Sequence, residues 1–302
     1  MPRGVIAAVP TPVTPKGEPD TERFLKHAAW TLTNGCDGLN VLGTTGEANS
    51  LSAAQRRSVM TAAAQNLDRS LLMVGTGTPD LATTMDLTRF AHEAGFAAAL
   101  LLPPYYYKGV SDDGLFAWFE TVIRATEDTP IPIYFYNFPQ MTGIAFPVEL
   151  ARRLSEDFPE RIVGAKDSSG DLAYAAELAR IEGFDVFPSN EAALAKVDAD
   201  GYAGCISASV NVSAPFAAAL WTDRGNDALL KRVSETRSAI AAQPLIPAVK
   251  HLIARIRNDA EFERVLPPHL PLTAEQKDAL AGIEIDYLPR QSMIPKSCRL
   301  FG

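Results

Sequence analysis

The segment Arg161-Ile-Val-Gly-Ala-Lys166-Asp-Ser-Ser-Gly-Asp171 places Lys166 where an apolar, strand-like run gives way to a turn. A lysine held against apolar walls is disfavoured as a cation. The neutral amine is the nucleophile that Schiff-base chemistry on a ketone requires. Taken alone, Lys166 also fits a plain surface residue at a strand end, its stem on apolar neighbours and its head in water. The chemical reading therefore depends on what converges with it. Three further sites carry suitable groups: the hydroxyls of Gly43-Thr44-Thr45-Gly46-Glu47, the phenol of Tyr134-Phe135-Tyr136-Asn137, and the Ile206-Ser207 pair.

The elements that must position these groups are short β-rich runs alternating with amphipathic stretches. The runs are Gly4–Val9, Gly38–Leu42, Ser70–Val74, Ala97–Leu102, Ile131–Tyr136, Arg161–Lys166, Phe184–Pro188 and Gly204–Ser207. Between them, Asp20–Asn34, Ser52–Leu67, Pro79–Ala94, Ser111–Thr126, Pro147–Phe158, Asp171–Ile181 and Glu191–Ala199 carry apolar residues at helical spacing. Asp20, Ser52 and Asp171 are well placed to cap helix starts. Alternation of this kind argues a parallel sheet, and eight strands argue a closed (β/α)8 TIM barrel. The barrel is expected over residues 1–224. Residues 225–302 are expected to form a C-terminal helical appendage (Asp227–Ala242, Pro247–Asn258, Thr273–Glu284) and an irregular tail, Pro289–Gly302. In such barrels chemistry sits at the C-terminal strand ends. Thr44 and Thr45, Tyr136, Lys166 and Ile206 all fall there.

Bulk properties narrow the function. The 302 residues are 47% apolar and 21% charged, enough for a large core, and the net charge of −8 argues against nucleic acid or an anionic membrane as partner. The three cysteines, Cys36, Cys205 and Cys298, are scattered and odd in number, which fits a reducing cytoplasm rather than a disulfide framework. The proline-broken start does not read as a signal peptide. No run approaches the ~18 apolar residues of a membrane span. None of the four histidines stands at metal-ligand spacing with another His or Cys, so no metal is expected. His27 and His92 are expected on helix surfaces. Phosphate-cradling glycine motifs are absent, which argues against a nucleotide cofactor.

Taken in order and at their separations, Thr11-Pro12, Gly43–Glu47, Tyr134–Pro139, Gly164–Asp171 and Gly204–Ser207 resemble the dihydrodipicolinate synthase / N-acetylneuraminate lyase family. The resemblance runs from Gly4 to beyond Leu280. It implies class I aldolase chemistry on pyruvate and an aldehyde, with no cofactor. By this resemblance Lys166 forms the imine and Tyr136 shuttles protons. Thr44 and Thr45 hold the pyruvate carboxylate, with Gly43 and Gly46 allowing close approach, and Ile206 lines the pocket. Thr45 also joins Tyr136 in a proton relay completed by a tyrosine of a neighbouring subunit. Tyr106 of Pro104-Tyr105-Tyr106-Tyr107 matches that residue, which implies a homotetramer built as a dimer of dimers. Ser189, Asn190 and Glu191 stand where relatives place polar groups for the substrate tail; Asn and Glu at a helix start also have an ordinary capping role.

One departure bears on substrate. The synthase branch carries an arginine shortly after the Tyr-Asn pair to grip the carboxylate of aspartate semialdehyde, and here Met141 takes that position. Losing a charge-assisted hydrogen bond costs roughly 1.5–3 kcal/mol. The Phe138-Pro139-Gln140-Met141-Thr142-Gly143 pattern resembles aldolases that cleave 2-keto-3-deoxy sugar acids, and this is the expected activity. The alternatives are the synthase condensing pyruvate with aspartate semialdehyde, an imine-using dehydratase, and a non-catalytic pyruvate-binding regulator.

Overall fold

The computed structural model describes residues 1–284; the expected tail Pro289–Gly302 and Cys298 lie outside them. The strands are β1 (Gly4–Ala8), β2 (Gly38–Val41), β3 (Leu72–Gly75), β4 (Ala98–Leu101), β5 (Ile133–Asn137), β6 (Ile162–Asp167), β7 (Asp185–Pro188) and β8 (Gly204–Ser207). They form one parallel sheet in the order β7-β6-β5-β4-β3-β2-β1-β8. Ala203 N–H donates to Val186 O at 2.8 Å, joining the start of β8 to β7 and drawing the two ends together into a (β/α)8 barrel.

Two apolar layers hold the barrel. Alternate strand residues, among them Ile6, Met73, Leu100, Tyr134, Phe187 and Ile206, pack on one another inside it. Their neighbours along the strands, such as Val5, Phe135 and Cys205, pack outward against the helices. With both faces buried, each strand reads as a nearly continuous apolar run. Gly164 on β6 makes room within the inner layer. A Cβ there would stand 2.5 Å from the Tyr134 ring and 2.2 Å from Asp185 O, so any side chain would push β6 away from its neighbours.

Helix starts follow the expected caps. Asp20 accepts from Arg23 N–H, Ser52 forms a capping box with Gln55, and Asp171 accepts from Ala173 and Tyr174 N–H. Each cap satisfies donors that the first turn leaves unpaired. Two elements and one residue stand out as departures from expectation. The stretch after β7 is a 3₁₀ helix over Glu191–Lys196, and only Val197–Asp200 is α-helical. A helix over Val210–Thr222 follows β8. Its residues are apolar nearly all round and include Pro215, so it carries little helical periodicity; it is covered by both the barrel and the C-terminal helices.

The third departure is His27, expected on a surface and found buried, while His92 is exposed. His27 lies on the inward face of helix Thr21–Thr33, and its Nε2 stands 2.9 Å from Asn211 Oδ1. Asn211 Nδ2 donates to Ala8 O and Ala208 O, which fixes Oδ1 as an acceptor and Nε2 as the protonated ring nitrogen. The ring thus ties the first helix to the ends of β1 and β8.

The C-terminal helices Asp227–Ala241 and Leu245–Arg257 are present as expected. They pack on Val210–Thr222 and reach the barrel mouth. Among the described residues no helix is long and apolar enough to cross a membrane.

Candidate active site

Pairing between β5 and β6 sets Tyr136 opposite Lys166 and Asn137 opposite Asp167. The second pair is cross-linked: Asn137 Nδ2 donates to Asp167 Oδ1 at 2.7 Å. Asp167 also accepts from Ser169 Oγ at 2.8 Å, which shapes the turn after Lys166. Burial pushes the Asp167 carboxyl above its usual range, against the lowering effect of its bonds from Asn137 and Ser169. The first pair faces the barrel interior. Lys166 is 3% exposed, and its Nζ stands 4.3 Å from the centroid of the Tyr136 ring.

The Tyr136 hydroxyl sits between two others. Thr44 Oγ1 lies 3.5 Å away, and Ser168 Oγ donates to it at 3.4 Å. These hydroxyls, Lys166 Nζ and the phenol therefore share one polar corner. The corner opens into a cavity of ≈ 220 Å³ that is lined by Thr44, Thr45, Tyr136, Lys166, Ser189 and Ile206. Phe138, Ser168, Ala208, Ser209, Arg237, Ala241 and Leu245 complete its wall. Its last three residues come from the C-terminal helical region.

The loop that carries Thr44 and Thr45 is held from behind. Glu47 adopts a left-handed backbone (φ 52) and is buried. Its carboxylate pairs with Lys250 of helix Leu245–Arg257 and accepts from Leu266 N–H at 2.7 Å. Lys250 also donates to Arg264 O at 2.7 Å. Burial lowers the Lys250 pKa, with Glu47 opposing the shift. Gly43 has a packing reason as well, since a Cβ there would meet Asn40 Oδ1 at 2.5 Å.

The other expected site residues divide between the cavity wall and its surroundings. Thr45 lines the cavity, but among the described residues it is Thr44 that bonds to the Tyr136 hydroxyl. Ser189 also lines the cavity. Asn190 caps the 3₁₀ turn by accepting from Ala192 N–H at 3.0 Å. Glu191 is fully buried, accepting from Ser207 Oγ at 3.0 Å and Ser213 Oγ at 3.3 Å. Met141 is 65% exposed on the turn Pro139–Thr142 and is not part of the cavity wall, and Tyr106 is 75% exposed.

Four lining polar or aromatic residues escape a reading of the sequence alone: Phe138, Ser168, Ser209 and Arg237. Ser168 and Phe138 sit inside the motifs that carry Lys166 and Tyr136, so their neighbourhood is a usable signal. Ser209 lies two residues past the end of β8. Arg237 lies mid-helix among other charged residues, with no motif around it.

The fold and the lysine-centred cavity define a class of barrel enzymes that work on a carbonyl substrate through an imine. The chain matches the Dihydrodipicolinate synthetase family over residues 1–284 and belongs to that family. It is thereby an enzyme of the class I lyases, which use a lysine Schiff base. It is 31% identical over 293 residues to the 4-hydroxy-tetrahydrodipicolinate synthase of Mesorhizobium japonicum, covering 94% of this chain and 97% of that one. The dihydrodipicolinate synthase structure from Agrobacterium tumefaciens superposes with a TM-score of 0.85 at 30% identity, covering 93% of this chain and 97% of that one. The E. coli K12 prophage protein YagE, of the same family and solved in complex with pyruvate, gives a TM-score of 0.85 at 26% identity, covering 92% and 96%.

Proposed function

We propose that Lys166 is the imine-forming residue and that the protein condenses pyruvate with an aldehyde, or releases pyruvate by the reverse reaction. The observation that carries this reading is the shared corner of Lys166, Tyr136, Thr44 and Ser168 at the C-terminal ends of the strands. The Lys166 amine attacks the ketone carbon of pyruvate, and water leaves as the imine forms. The protonated imine withdraws electrons, so the methyl group loses a proton to give an enamine. The enamine carbon then attacks the aldehyde carbon, and water hydrolyses the imine. Tyr136 is the proton carrier for these steps, and Thr44 and Ser168 orient its hydroxyl. The pyruvate in the YagE structure supports a pyruvate site in this barrel type.

The relatives' names favour aspartate semialdehyde as the aldehyde, over the sugar-acid cleavage expected from the 138–143 pattern. The second reading keeps one support: Ser168, Ser189 and Ser209 place three hydroxyls on the cavity wall, as a polyhydroxylated ligand would use. Two assays run in parallel separate them, condensation of pyruvate with aspartate semialdehyde and pyruvate release from a panel of 2-keto-3-deoxy sugar acids. Borohydride with pyruvate tests the shared step. A stable adduct on Lys166 is expected, and an unmodified Lys166 would overturn the imine reading for both.

A further inference from the structure

Asn40 is a polar residue in an apolar layer. It lies on β2 between Leu39 and Val41, which pack outward, and it pairs with Ala8 and Met73, both members of the inner barrel layer. Its side chain therefore points into the barrel, where it is fully buried. Neither Oδ1 nor Nδ2 has a hydrogen-bond partner among the described residues. The same holds for Thr11 Oγ1, which is also buried. Leaving a buried polar atom unpaired costs more than an ordinary hydrogen bond returns. Such atoms in a folded protein point to an occupant.

Both residues back the loop that carries Thr44 and Thr45. Asn40 Oδ1 stands 2.5 Å from where a Cβ on Gly43 would be, and Thr11 Oγ1 stands 3.3 Å from where a Cβ on Gly46 would be. Those two glycines are joined across the loop, Gly46 N–H donating to Gly43 O at 3.1 Å. The chain enters the loop through Leu42, whose φ of 55 is a left-handed conformation that a bulky side chain rarely adopts. Leu42 is wedged in place: its O stands 2.1 Å from the position of a Cβ on Gly75, and its Cα 3.1 Å from that of one on Gly46. A strained backbone of this kind persists only where its surroundings over-determine it. Neither Asn40 nor Thr11 is part of the cavity wall, so a substrate in the cavity does not reach them. The occupant must be small and able both to donate and to accept, which describes water.

We propose that Asn40 and Thr11 bind one buried water beneath the 43–47 loop, and that through it they are positioning residues for Thr44 and Thr45. A buried water makes about three hydrogen bonds to groups that otherwise lack partners. The Asn40 amide offers a donor and an acceptor, and the Thr11 hydroxyl offers either. The water site itself stands apart from the Lys166 cavity. Its part in turnover rests on the pyruvate-aldolase reading, in which Thr44 and Thr45 hold the carboxylate of the keto acid. Loss of the water loosens that loop and weakens keto-acid binding, and it leaves Lys166 and Tyr136 as they are.

The direct test is a crystal structure of the full chain at a resolution that shows ordered water. One water within hydrogen-bond distance of both the Asn40 amide and Thr11 Oγ1 is expected. A site closed by protein atoms alone, or a metal ion in place of the water, would overturn the proposal. Kinetics test the positioning role. Asn40→Leu and Thr11→Val remove the polar groups with little change of shape. Each should raise KM for pyruvate roughly threefold to tenfold while KM for the aldehyde changes little. Thr11→Ser returns the hydroxyl and should recover most of the loss seen in Thr11→Val. If Asn40→Leu does not fold, Thr11→Val reads the same ratio of KM values. A lower melting temperature with an unchanged KM ratio would make the water purely structural and overturn the positioning role. Failure of wild-type Lys166 to trap pyruvate with borohydride would remove the aldolase reading and the positioning role with it; the water site is decided separately, by the crystal structure.

Discussion

Tyr136 and Lys166 stand directly opposite each other on neighbouring parallel strands, with Lys166 Nζ 4.3 Å from the centre of the phenol ring. The register is locked one residue further along by Asn137 and Asp167. A slip of one residue in either strand would turn its functional side chain out of the barrel, because side chains alternate faces along a strand. The two residues are thus placed by the same few backbone pairings. Replacing Lys166 removes the proposed nucleophile without touching that frame. Lys166→Ala should lower pyruvate-dependent turnover by roughly 10³-fold or more while the circular dichroism spectrum stays unchanged. Substantial residual turnover in a folded variant would refute the imine mechanism.

Tyr136→Phe separates the proposed proton-carrying role of Tyr136 from its place in the scaffold. The hydroxyl makes only long contacts, to Thr44 at 3.5 Å and Ser168 at 3.4 Å, so its removal should cost at most about 1 kcal/mol of stability. Loss of a positioned acid–base group should lower kcat by roughly 10²–10⁴-fold. Urea unfolding and steady-state kinetics on one preparation check both halves. A large stability loss with little change in kcat would make Tyr136 a packing residue instead.

The Glu47–Lys250 pair joins the loop bearing Thr44 and Thr45 to the C-terminal helices, and both side chains are fully enclosed. Lys250→Met strands a buried carboxylate, which should destabilise the fold by about 3–5 kcal/mol. Adding Glu47→Gln removes the stranded charge and should restore much of the loss. Thermal melts of the wild type, both single variants and the double variant measure the coupling. Additive effects of the two changes would show that the pair does not act as a unit.

Tyr106 and Tyr107 are 75% and 68% exposed and pack edge to face on each other. Two exposed aromatic rings side by side fit a contact with a second copy, where such residues are enriched. Light scattering should give a mass above that of one chain. Tyr106→Phe should then reduce kcat, with little effect on assembly if its hydroxyl enters a neighbouring site. A monomer with full activity would exclude a shared site.

How much of this arrangement is legible in the sequence varies with the kind of burial. The β-strands are legible because both faces are covered, which leaves short apolar runs between turn signals. Lys166, Tyr136 and Thr44 sit inside such runs or directly after them, so the barrel rule alone sends them to one mouth. Arg237 is not legible. Helix Asp227–Ala241 also carries Lys231 and Arg232, and the polar residues Thr236 and Ser238 flank Arg237, so no pattern marks it as the cation that faces the cavity. Helix Val210–Thr222 is hidden for the opposite reason, since burial on most sides erases the amphipathic period. His27 reads as a surface residue because one polar side chain on an otherwise apolar face looks like that face's edge; the structure puts it at the centre, against Asn211.

That placement makes His27 a source of acid sensitivity. Burial lowers its pKa to about 4, opposed by the bond to Asn211 and aided by the charge of Arg257. In the unfolded chain a histidine titrates near ~6.5. Between those values the unfolded chain holds a proton that the folded chain does not, so stability rises with pH across the window and is lost as pH falls through it. The full effect is on the order of 3 kcal/mol. Protonation would also place a second donor on Nδ1, which has no partner among the described residues. His27→Gln keeps an amide able to donate to Asn211 but removes the titration. Urea unfolding at pH 7 and near pH 4.5 should therefore show a smaller acid loss in the variant than in the wild type, even if the variant is less stable at pH 7. Equal losses in the two proteins would shift the acid limit to carboxylates held below their usual range, such as Asp80, which the bond from Thr83 N–H keeps ionised. Asp167 would not serve, because its raised pKa favours the fold as pH falls.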